Sequence, residues 1–236
     1  MLKSCSKPKS RILKILKSFC DNVKNREGLS LPINNTYLGE KMKIILASKS
    51  PRRKEILQNL GFEFSIVTAD TDESSNETDP RALTRDLARR KGSDVVKLMN
   101  DSDVLVISCD TVVWCDGKIL GKPKSKDDAI GMLRLLSGRK HTVTSGLSLS
   151  LYGKTVTDSE DTDVYFADLS EDFIQNYVES GEPMDKAGSY AVQGTASMWI
   201  EKIDGCYFNV VGLPVRLLCE LLRRLGLDPQ TLTMKK

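Results

Sequence analysis

Residues 104–109 read VLVISC, and an aspartate, Asp110, follows at once. A short apolar run rich in β-branched residues predicts a strand buried on both faces. Such a strand needs layers of structure on either side, and the flanking patterns supply them. Residues 43–48 (KIILAS) predict a second buried strand. Ser50 then stands as an N-cap and Pro51 at the first helical position, opening a helix to about Leu60 that Gly61 stops. A further strand is expected over 62–68, an acidic loop over 70–79, and a long helix from Asp79-Pro80 to about Met99. Residues 112–115 extend the VLVISC strand, and Asp116-Gly117 turns it into 118–120.

Beyond that hairpin, Ser125 caps a helix to about Leu136, with Asp128 at the capping-box position. Residues 140–151 and 154–166 read as a long antiparallel pair around Tyr152-Gly153. Residues 170–180 read as a helix, 185–195 as a glycine-containing loop, 198–203 as a strand and 213–225 as an apolar closing helix. Strands and helices interleave without a strict repeat, so the expected fold class is α/β (mixed α+β) with a mixed sheet.

Composition narrows the function classes. No apolar run reaches the ~20 residues that a membrane helix needs. With 35 basic and 32 acidic residues the chain carries +3, too little to argue for nucleic acid by charge. The charge is uneven, however: residues 1–41 are +6 and residues 42–236 are −3, so a cationic site in the body must be local. Six scattered cysteines and a single histidine, His141, argue against a zinc site and against a Ser-His-Asp or Cys-His mechanism. They fit reduced thiols in an intracellular protein.

The expected domains are a basic extension over 1–41, a catalytic body over 42–228 and a tail over 229–236. The extension has no acid before Asp21 and places Ile12, Leu13, Leu16 and Phe19 near one helical face. It reads either as a transit peptide or as a disordered extension upstream of a start at Met42. Expected localisation is cytoplasmic, or mitochondrial if the extension is a transit peptide.

Chemistry gathers at strand ends and loops. Ser48-Lys49-Ser50-Pro51-Arg52-Arg53 leads a strand into a helix N-terminus carrying two arginines. It reads as a phosphate cradle or as a basic helix start paired with Glu55. Asp110-Thr111 places a carboxylate at a buried strand's tip, where it can orient or deprotonate water or hold a hard cation, or serve as a turn residue. Asp70, Asp72 and Glu73 form an acidic run that either converges on Asp110 around a metal or is simply solvated. Lys91 and Lys122 are candidates for neutralising phosphate charge, or surface lysines. Gln193 sits in a glycine-punctuated loop and can both donate and accept, as base recognition requires. His141 reads as a structural polar residue. This inventory suits metal-assisted hydrolysis of a phosphoanhydride by water.

These residues fall within motifs that resemble the Maf family of nucleoside triphosphate pyrophosphatases. The matching pieces are LASKSPRRKEIL (46–57), Thr71-Asp72-Glu73, Lys91 after Leu87-Ala88-Arg89-Arg90, CDTVV (109–113), LGKP (120–123), LSGRKHTV (136–143), YVESGEPMDKAGSYAVQG (177–194) and NVVGLP (209–214). Their order spans some 170 residues. The resemblance implies an elongated two-lobed fold with a central mixed sheet and flanking helices, similar to inosine triphosphate pyrophosphatases. It implies hydrolysis of dTTP, UTP and related modified pyrimidine triphosphates to monophosphate and pyrophosphate, with a divalent cation, Mg²⁺ or Mn²⁺, and a homodimer.

By the same resemblance Asp110 is the proton acceptor, and Glu73, Lys91 and Lys122 share the catalytic set. Ser50, Arg52, Arg53, Thr111 and Gln193 bind substrate, and Glu73 with Asp110 would hold the metal. The alternatives are a purine-directed or broad pyrophosphatase, and a non-catalytic nucleotide-binding regulator of cell division. No nucleic-acid or membrane partner is expected.

Overall fold

The structure, a computed structural model, describes residues 42–99, 101 and 103–233. The chain divides into two units, Met1–Ile33 and Asn34–Lys236. Every reading of residues 1–41, including the apolar face of Ile12 to Phe19, lies outside the described residues.

The VLVISC run and its extension form one uninterrupted strand, β3 (Val104–Cys115). Among the described residues seven strands make one sheet in the order β2-β1-β3-β5-β6-β7, with β4 (Lys118–Leu120) added to the end of β3. The short β1 (Lys43–Leu46) runs parallel to β3 and to β2 (Ser65–Ile66). β5 (Lys140–Leu151), β6 (Lys154–Phe166) and β7 (Ile200–Asp204) are antiparallel. The mixed sheet is as the sequence predicts, and the β5–β6 pair has the expected bounds, since Tyr152 and Gly153 both adopt positive φ at its turn. The strand expected over 62–68 contracts to Ser65–Ile66, because only these residues find a partner, on β1.

Helices cover both faces. α1 (Pro51–Asn59) and α2 (Pro80–Met99) follow their proline starts. Ser50 occupies the N-cap of α1, although its hydroxyl makes no capping bond. α3 (Lys126–Leu136) is capped as expected, the Ser125 hydroxyl accepting from the Asp128 amide at 3.1 Å. α4 (Glu171–Glu179) follows β6. Residues 182–199, expected to hold a loop and the start of a strand, contain three 3-10 turns, Glu182–Asp185, Ala187–Ser189 and Thr195–Trp199. A short α5 (Tyr207–Val211) precedes α6 (Val215–Arg224), where Leu217, Leu218, Leu221 and Leu222 form one buried stripe. Residues 229–233, expected within a tail, form α7 (Pro229–Thr233) and bury Leu232.

Period-two alternation sorts the core. Ile44, Leu46, Leu105, Ile107 and Cys109 join α1 and α6 on one face. Ile45, Val104 and Val106 meet Val95 of α2 on the other. A separate cluster forms farther along β3 and β5, where Val113 and Val143 pack with α3, α4 and Tyr190.

Candidate active site

The sheet has a notch. On its outer side β3 pairs with β1 only as far as Ile107, and β4 takes over at Val113. Between them residues 108–112 have a strand neighbour on the β5 side alone. β1 ends here, so the notch lies beyond the carboxyl end of a parallel strand, where open α/β sheets place ligands. A cleft of about 780 Å³ occupies it, lined from α1, α2, the 70–75 loop, β3 and the 185–193 segment.

Because the notch exposes the strand edge, side chains from both faces of β3 reach the same cleft. Asp110 lies on the α2 face and Thr111 on the α1 face. Register brings α2 down onto Asp110. The cross-strand partner of Asp110 is Gly146, and a Cβ there would stand 2.2 Å from the Thr84 carbonyl group of α2. Only glycine permits that approach. Two turns along α2, the Lys91 ammonium donates to Asp110 Oδ1 at 2.6 Å and lies 2.9 Å from Glu73 Oε1. Asp110 is 8% exposed, so its carboxylate is held rather than solvated.

The acidic run therefore divides. Glu73 and Asp70 line the cleft, whereas the Asp72 carboxylate turns back to accept from the Ser74 amide at 2.9 Å and the Ser74 hydroxyl at 2.8 Å. Those two bonds, with the Arg90 charge, hold the Asp72 carboxyl below its usual range.

The two arginines of the cradle do different things. Arg53 Nε donates to the Gly212 carbonyl (2.8 Å), Nη1 to the Cys109 carbonyl (2.6 Å) and the Ser48 hydroxyl (3.2 Å), and Nη2 to the Thr111 hydroxyl (3.0 Å). The guanidinium thus fills the free edge of β3, and one of its five N–H groups remains for a ligand. Thr111 in turn bonds Ser145 across the strands at 2.8 Å. Its hydroxyl anchors Arg53 as well as lining the cleft. Arg52 reaches across to Asp185 at 3.3 Å. Burial raises the Asp185 carboxyl, but Lys186 and Arg52 together hold it below its usual range.

Lys122, Ser50 and Gln193 also line the cleft, and among the described residues the side chains of Lys122 and Gln193 have no ion-pair or hydrogen-bond partner. Ser48 stands in the expected cradle, and Asp185 and Lys186 in the expected loop, with no role of their own; the fold brings them and Gly212 to the same cleft. Only the helix-start and loop motifs that contain them signal their presence.

The segment carrying Gln193 is clasped by Glu182. Its carboxylate accepts from Tyr177 Oη (2.9 Å), the Thr195 amide (3.2 Å) and the Thr195 hydroxyl (3.0 Å). His141 lies behind this segment, 1% exposed, with Nε2 2.8 Å from Tyr190 Oη and its ring edge-on to Phe166 and Tyr190. Burial pushes its pKa down to about 4. It is a structural residue, as the sequence suggested. Cys109, Cys115, Cys206 and Cys219 are all free thiols. No described helix is long and apolar enough to cross a membrane.

A dTTP/UTP pyrophosphatase of Thermoanaerobacter sp. (strain X514) is 45% identical over 185 residues, covering 78% of this chain and 96% of the relative. One from Clostridium perfringens (strain SM101 / Type A) is 48% identical over 185 residues, covering 77% and 96%. Among solved structures, the Staphylococcus aureus Ham1 protein aligns over 81% of this chain and 93% of its own, with 13% identity and a TM-score of 0.41. The family model described as Maf-like protein matches residues 43–225, and the chain belongs to that family.

Proposed function

We propose that the protein is a nucleoside triphosphate pyrophosphatase that hydrolyses dTTP, UTP and related modified pyrimidine triphosphates to the monophosphate and pyrophosphate. The observation that carries this reading is the convergence of Asp110, Lys91 and Glu73 in a sheet notch rimmed by Arg52, Lys122 and Lys186. The names of the relatives, each spanned almost end to end by this chain, support the substrate class.

Triphosphate charge is met by Arg52, Lys122 and the remaining N–H of Arg53. Asp110, rigid at the strand tip, orients a water toward the α-phosphorus and takes its proton at a carboxylate oxygen. The new P–O bond forms as the bond from the α-phosphorus to the bridging oxygen breaks, and that electron pair leaves on pyrophosphate. Lys91 fixes the Asp110 carboxylate for this role and shares its charge with Glu73. Gln193 reads the base edge by donating and accepting at once.

The residues present fit a divalent cation of the Mg²⁺ or Mn²⁺ kind. Glu73 and Asp110 offer hard carboxylate oxygens that meet at the Lys91 ammonium, and such ions take one or two carboxylates together with substrate phosphates. Among the described residues no group of three or more His, Cys, Asp or Glu side chains is placed to hold a metal. When bound, the cation would neutralise phosphate charge. This reading includes a homodimer and a cytoplasmic enzyme, or a mitochondrial one if residues 1–41 direct import. Gel filtration and cell fractionation test these points.

The deciding experiment is steady-state pyrophosphate release from canonical and modified triphosphates with Mg²⁺, Mn²⁺ or neither. The expected result is cation-dependent turnover favouring dTTP and UTP. A preference for purines, or nucleotide binding with no turnover, would refute it.

A further inference from the structure

The proposed reaction uses the Glu73 carboxylate, yet nothing about Glu73 itself holds it in place. Residues 67–79 form no helix or strand, and the Glu73 side chain is 62% exposed. An exposed ion pair is weak against the entropy lost in ordering a residue's backbone. The Lys91 contact alone cannot order this segment.

Arg90 supplies a hold. A single nitrogen, Nη1, donates to the Asp72 carbonyl at 2.7 Å and to the Ser74 carbonyl at 3.0 Å. These are the carbonyls of the residues on either side of Glu73. The guanidinium is backed by Asp86 one turn earlier on α2, with Nε 2.9 Å from Oδ2. Arg90 is the neighbour of Lys91, so the residue that grips the loop and the residue that receives its carboxylate are consecutive on one helix. Arg90 does not itself line the cleft.

We infer that Arg90 is a positioning residue for the proposed hydrolysis: by holding the backbone on both sides of Glu73 it presents that carboxylate to Lys91 and Asp110. The inference rests on the pyrophosphatase reading and names a device that serves it.

The test uses the full chain and five variants: Arg90→Met, Arg90→Lys, Glu73→Gln, the Arg90→Met/Glu73→Gln double, and Arg89→Met as a control. Arg89 is 59% exposed on its side chain and pairs only with Asp86 among the described residues. Methionine keeps the apolar stem of Arg90 and removes the donors. Lysine restores a nitrogen able to bond two carbonyls. Arg90→Met should lower kcat for dTTP about tenfold, the usual scale for a residue acting through another. The double variant should be no slower than Glu73→Gln alone, Arg90→Lys should regain most of the loss, and Arg89→Met should match wild type. Multiplicative losses in the double variant, no rescue by lysine, or wild-type turnover in Arg90→Met would each overturn the role.

Hydrogen exchange separates this failure from failure of the proposed reaction. Amides of residues 71–77 should exchange faster in Arg90→Met than in wild type or Arg89→Met. Unchanged exchange means that the grip does not exist. Faster exchange in a protein that releases no pyrophosphate from any triphosphate means that the hydrolysis reading is wrong and Arg90 has no reaction to serve.

Discussion

Two irregular segments border the cleft, and they are held by opposite means. The 67–79 segment has no fully buried residue: Val67 and Ala69 rest partly buried on the cluster of Ile45 and Val95, and the remainder is tied to α2 by polar contacts, chiefly those of Arg90. The 181–199 segment buries Pro183, Gly188, Ser189, Tyr190 and Ala196 and folds into 3-10 turns around the Glu182 carboxylate. The first presents the charged group proposed to act at the phosphates, the second the amide proposed to read the base. The segment that carries Gln193 is held by packing, whereas the segment that carries Glu73 depends more on a few hydrogen bonds, which gives it the lower local stability of the two.

Equal-sized changes in the two segments should therefore have unequal effects. The largest is expected from Gly188→Ala. Gly188 has φ +67°, and a Cβ there would stand 2.7–2.9 Å from Val113 side-chain atoms. Left-handed strain and overpacking together should cost about 2–4 kcal/mol in urea unfolding. A loss under about 1 kcal/mol would break the picture of a packed segment.

Next is acid. Unfolded histidine protonates as pH falls through 6.5, while burial keeps folded His141 neutral down to about 4. The unfolded chain binds more protons in that window, so stability is full above pH 6.5 and falls toward pH 4, by about 3 kcal/mol. His141→Gln should flatten this part of the pH–stability curve relative to wild type. Parallel curves would show that burial does not keep His141 neutral in the folded protein.

Gln193→Glu should come third. A carboxylate cannot donate to a pyrimidine carbonyl, so kcat/KM for dTTP and UTP should fall about 10–100-fold with little change in melting temperature. Equal losses for every base would contradict a recognition role. Smallest is Ser74→Ala, which removes the hydroxyl bond to Asp72 at the surface and should shift global stability by less than about 0.5 kcal/mol. A larger loss would show that the 67–79 segment is part of the cooperative core.

Much of this was legible in the sequence where local chemistry decides. The Asp79-Pro80 start of α2, the Tyr152-Gly153 turn and the Ser125 cap each announce an element through turn or capping residues, and all three stand. The 3-10 turns and α5 were not legible, since runs of three to five residues leave no period to read. Asp110, Lys91 and Glu73 were legible as candidates, but not that one lysine would touch both carboxylates. Arg53 was read as a phosphate ligand, and its role as a strut for the β3 edge depends on a gap between β1 and β4 that only the sheet register creates. Arg90 left no signal, because its partners are backbone carbonyls and any sequence supplies those.

In the proposed reaction Asp110 directs water at the α-phosphorus of a triphosphate bound in the notch. Hydrolysis of dTTP in ¹⁸O-water, with products resolved by mass spectrometry, tests it directly in wild type and Asp110→Asn. One ¹⁸O atom is expected in the monophosphate and none in pyrophosphate, with the variant slower by about 10²–10⁴-fold and its melting curve showing a folded protein. Label in pyrophosphate, or wild-type rates from Asp110→Asn, would contradict it.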